Sequence, residues 1–346
     1  MKRAIIHGVW SLVLATSSAW AQTPQHATDD VQLVFAGDTT LDSTPGEWIR
    51  RGQDPLASFK DLFTSADLRL LNLECVVATS GQAVPKHYTF RAHPRVLKTL
   101  KRHVDGVTLA NNHSGDYGRE AFAEMLSLLK THQIAQAGGG MNLEQAHTPW
   151  IVQRKGLRIA ILSYDEFMPR SYEALSHAPG VAWSEDEQVV DDIRRARRDY
   201  QADIVLPFMH WGWENETTAN ARQRQLAKKM IEAGADAVIG GHPHVTQDIE
   251  FHQGKPIIYS VGNFVMKQTD NERQRVGWVL RLKINHTGVH GFDTHTARIN
   301  KQGIPRYDKT TASPCWQRPW AQERPCLAGQ PAPRVNLQND RVVVDF

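Results

Sequence analysis

Short apolar runs alternate with amphipathic stretches over the first two thirds of the chain. The runs "VQLVFAG" at 31–37, "LRLLNLE" at 68–74, "DGVTLANN" at 105–112, "ADIVLPFMH" at 202–210 and "ADAVIGG" at 235–241 have the length and apolar density of buried strands. Between them, "PLASFKDLFTSA", "RVLKTLKRH", "REAFAEMLSLLKTHQ", "DEQVVDDIRRARRDYQ" and "NARQRQLAKKMIEAG" carry helical spacing. In the third of these Phe122, Leu126 and Leu129 recur on one face, and Gly234 stops the last. "PWIVQRKGLRIAILSYD" reads as a hairpin turning at Lys155 and Gly156. Beyond residue 245 strands dominate, in "KPIIYSVGNFV", "GWVLRLKI" and "GVHGFDTHTARI". Strands alternating with helices, then strands in succession, predict a layered α/β fold. No linker divides the region, so 31–304 is expected as one domain. Residues 305–346 are expected as a Pro- and Arg-rich irregular extension, with "RVVVDF" able to pair as an edge strand.

The N-terminus departs from this pattern. "MKRAIIHGVWSLVLATSSAWAQ" has a basic start, an apolar stretch and a small-x-small site before Gln22. Residues 1–21 are therefore expected as a secretory signal and 22–30 as a flexible lead-in. The same stretch retained as an N-terminal anchor is the alternative. The chain is expected to be exported, periplasmic or secreted, and bacterial. An oxidising compartment makes Cys315 and Cys326 a plausible disulfide, with Cys75 a reduced core thiol.

Composition is that of a globular protein: of 346 residues, 41% are hydrophobic and 22% charged. Formal charge is +3, and Lys2 and Arg3 supply two of those charges. The body is nearly neutral, which gives no electrostatic reason to expect a nucleic-acid partner.

The candidate chemistry lies where the apolar runs end. "LVFAGD" delivers Asp38, "LLNLE" Glu74, "VTLANNH" Asn112 and His113, "VLPFMH" His210, and "AVIGGHPH" His242 and His244. In open α/β sheets, sites form beyond the carboxyl ends of strands. Oxygen and imidazole donors from five strands suit one or two divalent ions such as Mn²⁺, Zn²⁺ or Fe²⁺. The His-Pro-His segment, taken as extended, would point both imidazoles to one side. Gly240 and Gly241 would allow close backbone approach. Glu74 could bridge two ions. Asp116 could orient His113, or could be an acid at a helix start. Trp211, Trp213 and Glu214 are candidates for a substrate cleft, or for loop packing. Lys86 and Arg91 could hold carboxylate or phosphate, or belong to a solvated basic loop. Asn263 could support the site by hydrogen bonds, or close a turn.

The ordered motifs "FAGDTTLD", "NLECVV", "FRAHP", "LANNHSGDYG", "MHWGWE", "IGGHPHVTQDIE" and "IIYSVGNFV" resemble the CapA/PgsA family of bacterial capsule and poly-γ-glutamate synthesis. The resemblance covers about residues 31–266. That family is similar in fold to calcineurin-like metallophosphoesterases, which implies a four-layer α/β/β/α sandwich. It implies Asp38, Glu74, Asn112, His210, His242 and His244 as metal ligands, with Glu74 in the bridging place. His113 takes the place of the histidine that contacts substrate and acts as general acid. It further implies poly-γ-glutamate or a phosphoester as substrate and a membrane synthase as possible partner. One departure matters: metallophosphoesterases begin with Asp-x-His, and this chain has Asp38-Thr39-Thr40. A hydrolase, a non-catalytic accessory subunit that binds polymer, and a phosphatase of small esters are the readings this leaves.

Overall fold

The computed structural model describes residues 30–327, apart from 168, 169 and 268, and the backbone of the strands Arg334–Gln338 and Arg341–Asp345. The expected signal segment and most of the 22–30 lead-in lie outside the described residues.

Two sheets form. The larger, ten-stranded one runs from Arg324–Cys326 through Ser313–Gln317, Gly288–Ile299, Val276–Asn285, Val31–Thr39, Leu68–Leu73 and Gly106–Thr108 to Ala135–Ala137. The smaller has six strands, in the order Ile249–His252, Lys255–Ile258, Val238–Gly241, Ile204–His210, Leu157–Asp165 and Trp150–Arg154. Each sheet has a parallel centre, Val31–Thr39 with Leu68–Leu73 and Gly106–Thr108 in one, and Leu157–Asp165 with Ile204–His210 and Val238–Gly241 in the other.

Period-two alternation sorts side chains into layers. Val31, Leu33, Phe35, Leu68 and Leu70 meet Ile159, Ile161, Ile204, Leu206 and Phe208 in a core between the sheets. Phe35 and Phe208 stack across it with centroids 4.8 Å apart. The intervening Val34, Ala36 and Leu71 turn outward onto the helices Val96–His103 and Gly118–Thr131. Ala160, Leu162, Val205 and Met209 pack on Asp186–Arg198 and Ala221–Ala233. The result is the four-layer α/β/β/α sandwich.

Local signals explain the element ends. Ala221–Ala233 begins with a capping box between Asn220 and Gln223, and stops at Gly234 with φ +123°. The hairpin turns at Lys155 and Gly156, both at positive φ. The irregular tail expected after residue 304 is corrected. Pro305–Asp308 and Ser313–Gln317 both pair with Gly288–Ile299, because that strand is long enough to offer separate stretches of its edge. Arg324–Cys326 extends the sheet, and Cys315 and Cys326 form a disulfide with Cα atoms 5.8 Å apart. Arg341–Asp345 pairs with Arg334–Gln338 in a ribbon of its own. Cys75 is buried and free.

Candidate metal centre

The site caps the core between the sheets, at the carboxyl ends of both parallel centres. His210 reaches it by continuing the inward series Ile204, Leu206 and Phe208. Asn72 continues Leu68 and Leu70 in the same way. Asp38 has the wrong parity, since Phe35 faces inward and strict alternation would turn residue 38 toward the helices. The register slips between Ala36 and Asp38, so that Asp38 pairs with Asn72. This bulge absorbs Gly37 and turns the carboxylate inward. A Cβ on Gly37 would sit 1.9 Å from the Gly262 carbonyl oxygen, so only glycine fits there. A Cβ on Gly241 would meet Asp38 Oδ1 at 2.6 Å, which places the backbone of that strand end against the carboxylate.

The His-Pro-His segment is not extended, which corrects the expectation. His242 and His244 adopt φ +94° and +58°, a region uncommon for residues with a side chain. The bend directs the two imidazoles into different donor groups, one for each ion of the two-metal arrangement the resemblance implies. Glu74, His210 and His242 bring one donor atom each within 4.8 Å of one another. Asp38, Glu74 and His244 do the same, so Glu74 belongs to both groups. Asn112 joins the first, its Oδ1 2.9 Å from His210 Nε2. That nitrogen also lies 3.1 Å from His242 Nδ1 and 3.4 Å from Glu74 Oε1.

The surroundings fit divalent cations. Glu74 Oε1 and His242 Nε2 are buried with no hydrogen-bond partner, a costly arrangement unless something electron-poor completes it. Burial, and then the neighbouring imidazoles, hold His210 and His242 well below the usual histidine range, leaving neutral ligands. Burial and Asp38 push the Glu74 carboxyl well up. Burial also opposes charge on His244, but Glu74 and Asp38 outweigh it and raise that imidazole to about 10. Positive charge is therefore favoured between these carboxylates. The structure thus holds residue groups able to bind a metal. Thr40 stands where the metallophosphoesterase pattern has histidine, and its hydroxyl donates to the Glu74 carbonyl at 3.3 Å. The second group consequently has three side-chain donors, against four in the first.

Supporting groups orient the donors. His244 Nδ1 lies 2.9 Å from Asn263 Oδ1, and the Asn263 amide donates to the His244 carbonyl at 3.1 Å. Asn263 is thereby a brace for His244. Asn72 Nδ2 donates to Asp38 Oδ1 at 2.8 Å and lies 3.3 Å from His210 Nδ1. Its own oxygen accepts from Thr108 and Asn111. Sequence reasoning missed Asn72. The available signal was an amide inside an otherwise apolar strand.

His113 stands beside the first group. Its Nδ1 lies 2.6 Å from Asp116 Oδ2, so any proton exchange falls to Nε2. Asp116 is fully buried and also accepts from the Phe90 amide at 2.7 Å and from Lys86 Nζ at 2.9 Å. Burial lowers His113 despite Asp116.

Two expected substrate contacts, Trp211 and Arg91, lie elsewhere. Trp211 is buried in the outer core with its Nε1 donating to the Tyr259 carbonyl, because it continues the outward series Val205, Met209. Arg91 donates to the carbonyls of Ser80 and Gly81 and stacks 4.1 Å from the Tyr117 ring, so its guanidinium is spent on the loop. Lys86 holds Asp116 and the Asn112 carbonyl. Glu214 is exposed, and its charge reaches Glu74 and His244. Two further residues went unread. Phe167 packs 3.9 Å from the His242 ring. Asp165 ends its strand opposite His210 and accepts from the Phe167 amide at 3.0 Å, with burial pushing its carboxyl up to about 8. A strand-end acid in "ILSYD" was the signal for Asp165; nothing in the sequence marked Phe167.

Comparison with known proteins follows the same residues. The chain is 31% identical over 305 residues to the PGA biosynthesis protein CapA of Bacillus subtilis, covering 82% of this chain and 79% of that one. It is 30% identical over 236 residues to a probable polyglutamine synthesis accessory protein of Mycobacterium tuberculosis, covering 64% and 60%. Among solved structures, a putative 5′-nucleotidase from Staphylococcus aureus aligns at 13% identity and TM-score 0.45, covering 80% of this chain and 54% of that one. The profile of the bacterial capsule synthesis protein PGA_cap matches residues 32–268, from the first inward strand through the segment that braces His244, and the chain belongs to that family.

Proposed function

We propose that this protein is an exported, divalent-metal-dependent hydrolase that acts on poly-γ-glutamate or an anchored intermediate of it. The observation that carries the reading is Glu74 shared between two donor groups, the arrangement that can hold two ions about 4 Å apart. Ions bound there would polarise an acyl or phosphoryl oxygen and make water a competent nucleophile at neutral pH.

The chain's own residues supply the rest. Asp116 and Lys86 fix the ring of His113, and His113 Nε2 takes up a proton from the attacking water and passes it to the departing amine or alcohol as that group's bond to the acyl or phosphoryl centre breaks. Asn263 holds His244, and Asn72 holds Asp38, so the donors are set before substrate arrives. The polymer is supported by family membership and by the biosynthetic role in the name of the Bacillus subtilis relative. Export is supported by the N-terminal pattern, and a mature N-terminus at Gln22 is the check.

The deciding experiment measures metal content of the purified protein together with turnover of poly-γ-glutamate and of a simple phosphoester. One or two bound ions and metal-dependent chain shortening are expected. Absence of metal after reconstitution with Mn²⁺, Zn²⁺ and Fe²⁺ rejects the reading. Thr40 favours one alternative, a polymer-binding accessory subunit without turnover, because the second group is short of an imidazole. Metal and polymer bound together, with no hydrolysis of either substrate, would select it.

A further inference from the structure

Two runs of aromatic rings lead from exposed positions to histidines of the metal centre. On one side Tyr88, 51% exposed, stacks over Phe90 with centroids 6.5 Å apart, and Phe90 packs 4.4 Å from His113. On the other, Phe167 lies 3.9 Å from His242 and meets Trp213 edge-on at 6.3 Å. Trp213 is 65% exposed. A lone aromatic ring on a surface needs no explanation, but each of these continues inward, ring on ring, to a histidine of the site. Here they flank the metal donors instead of being scattered.

The two arms differ in charge. Lys267 Nζ sits 3.7 Å from the Tyr88 centroid and 5.2 Å from that of Phe90. Among the described residues no carboxylate lies within ion-pair distance of it, and Asp42 acts on it only from farther away, so its ammonium is held by ring faces and can take an anion. Beyond Phe167 a cavity of about 230 Å³ opens, lined by Trp213, Asn220 and a guanidinium, Arg222, that is already paired with Glu166.

We infer that the Tyr88–Lys267 arm and the Phe167–Trp213 arm are two binding subsites on either side of the metal centre, forming a cleft open at both ends for an extended polyanionic chain. This deepens the reading above and rests on it for the identity of the polymer. A γ-linked glutamate chain presents short methylene segments, which lie against ring faces, and a carboxylate on every unit, which pairs with Lys267. A cleft open at both ends admits a chain through its middle, so cutting is internal and not confined to chain ends.

The test uses fluorescein-labelled poly-γ-glutamate of ten units and of two units, with metal-loaded protein carrying His113→Asn so that the probe stays intact. Fluorescence anisotropy should show the ten-unit probe bound at least about tenfold more tightly, because only it reaches both arms. Trp213→Ala and Lys267→Ala should each weaken the ten-unit probe by about five- to tenfold. Equal affinity for both lengths, no binding of the long probe, or indifference to both substitutions overturns the inference. Both altered residues lie outside the cores, and circular dichroism confirms that the variants fold. Wild-type protein separates this result from the hydrolase reading. Length-dependent binding without hydrolysis leaves the cleft standing and removes the enzyme; hydrolysis that releases only terminal units does the reverse.

Discussion

Replacing Glu74 by glutamine should change stability in opposite directions with and without metal. The carboxylate is 2% exposed, its Oε1 has no hydrogen-bond partner, and Asp38 stands in the same donor group. In chelated protein this carboxyl is buried without a hydrogen-bond partner, and the one cation beside it, His244, is shared with Asp38. A neutral isostere removes its charge, which should stabilise by about 1–3 kcal/mol. For a chain of this size that raises the melting temperature by roughly 1.5–4.5 °C. With metal present, wild-type protein gains RT ln(1 + [M]/Kd), about 4 kcal/mol at a thousandfold excess over Kd. Glu74→Gln withdraws a donor from both groups and should forfeit most of that gain. Differential scanning calorimetry at pH 7.5, with EDTA and then with saturating Mn²⁺ or Zn²⁺, should show the two melting curves exchange order. A variant that melts below wild type in EDTA, and that gains as much from metal as wild type does, refutes the shared-ligand geometry.

His113→Asn should leave metal content unchanged, because His113 belongs to neither donor group, and should slow polymer turnover by about 10²- to 10⁴-fold in steady-state assays. Trp211→Ala should destabilise by about 3–5 kcal/mol in urea titrations, whereas Trp213→Ala should stay within about 0.5 kcal/mol, since only the first ring is buried. Far from the metal centre, burial opposes ionisation of Asp293, but His295 and Arg281 outweigh it and hold the carboxyl below its usual range. A lowered folded-state value means this stability is present above the unfolded carboxyl pKa and is lost as pH falls through the folded one. Asp293→Asn should therefore cost about 3–5 kcal/mol near pH 7, and the gap to wild type should close as acid unfolding is followed below pH 4.

Much of the fold was legible because period-two alternation is a local property. Val31, Leu33 and Phe35 against Val34 and Ala36 already separate an inner face from an outer one. The same rule, carried two residues past Met209, would have placed Trp211 in the outer core. The tail misled because Pro305 and Pro314 read as breakers, while pairing to one long strand tolerates them. The donor residues were legible as types at strand ends. Their grouping was not, since it depends on the bend at His242 and His244.

The sequence by itself determined which chemical groups the protein owns and at which strand ends they emerge, because residue type and short-range periodicity are written in neighbouring positions. Only the tertiary structure decided that a bulge at Gly37 turns Asp38 inward, that His242 and His244 bend into different donor groups, and that Arg91 is spent on carbonyls. Those outcomes depend on contacts between segments tens to hundreds of residues apart, His242 and Asp38 among them, and the local pattern does not encode the distance or the angle at which such segments meet.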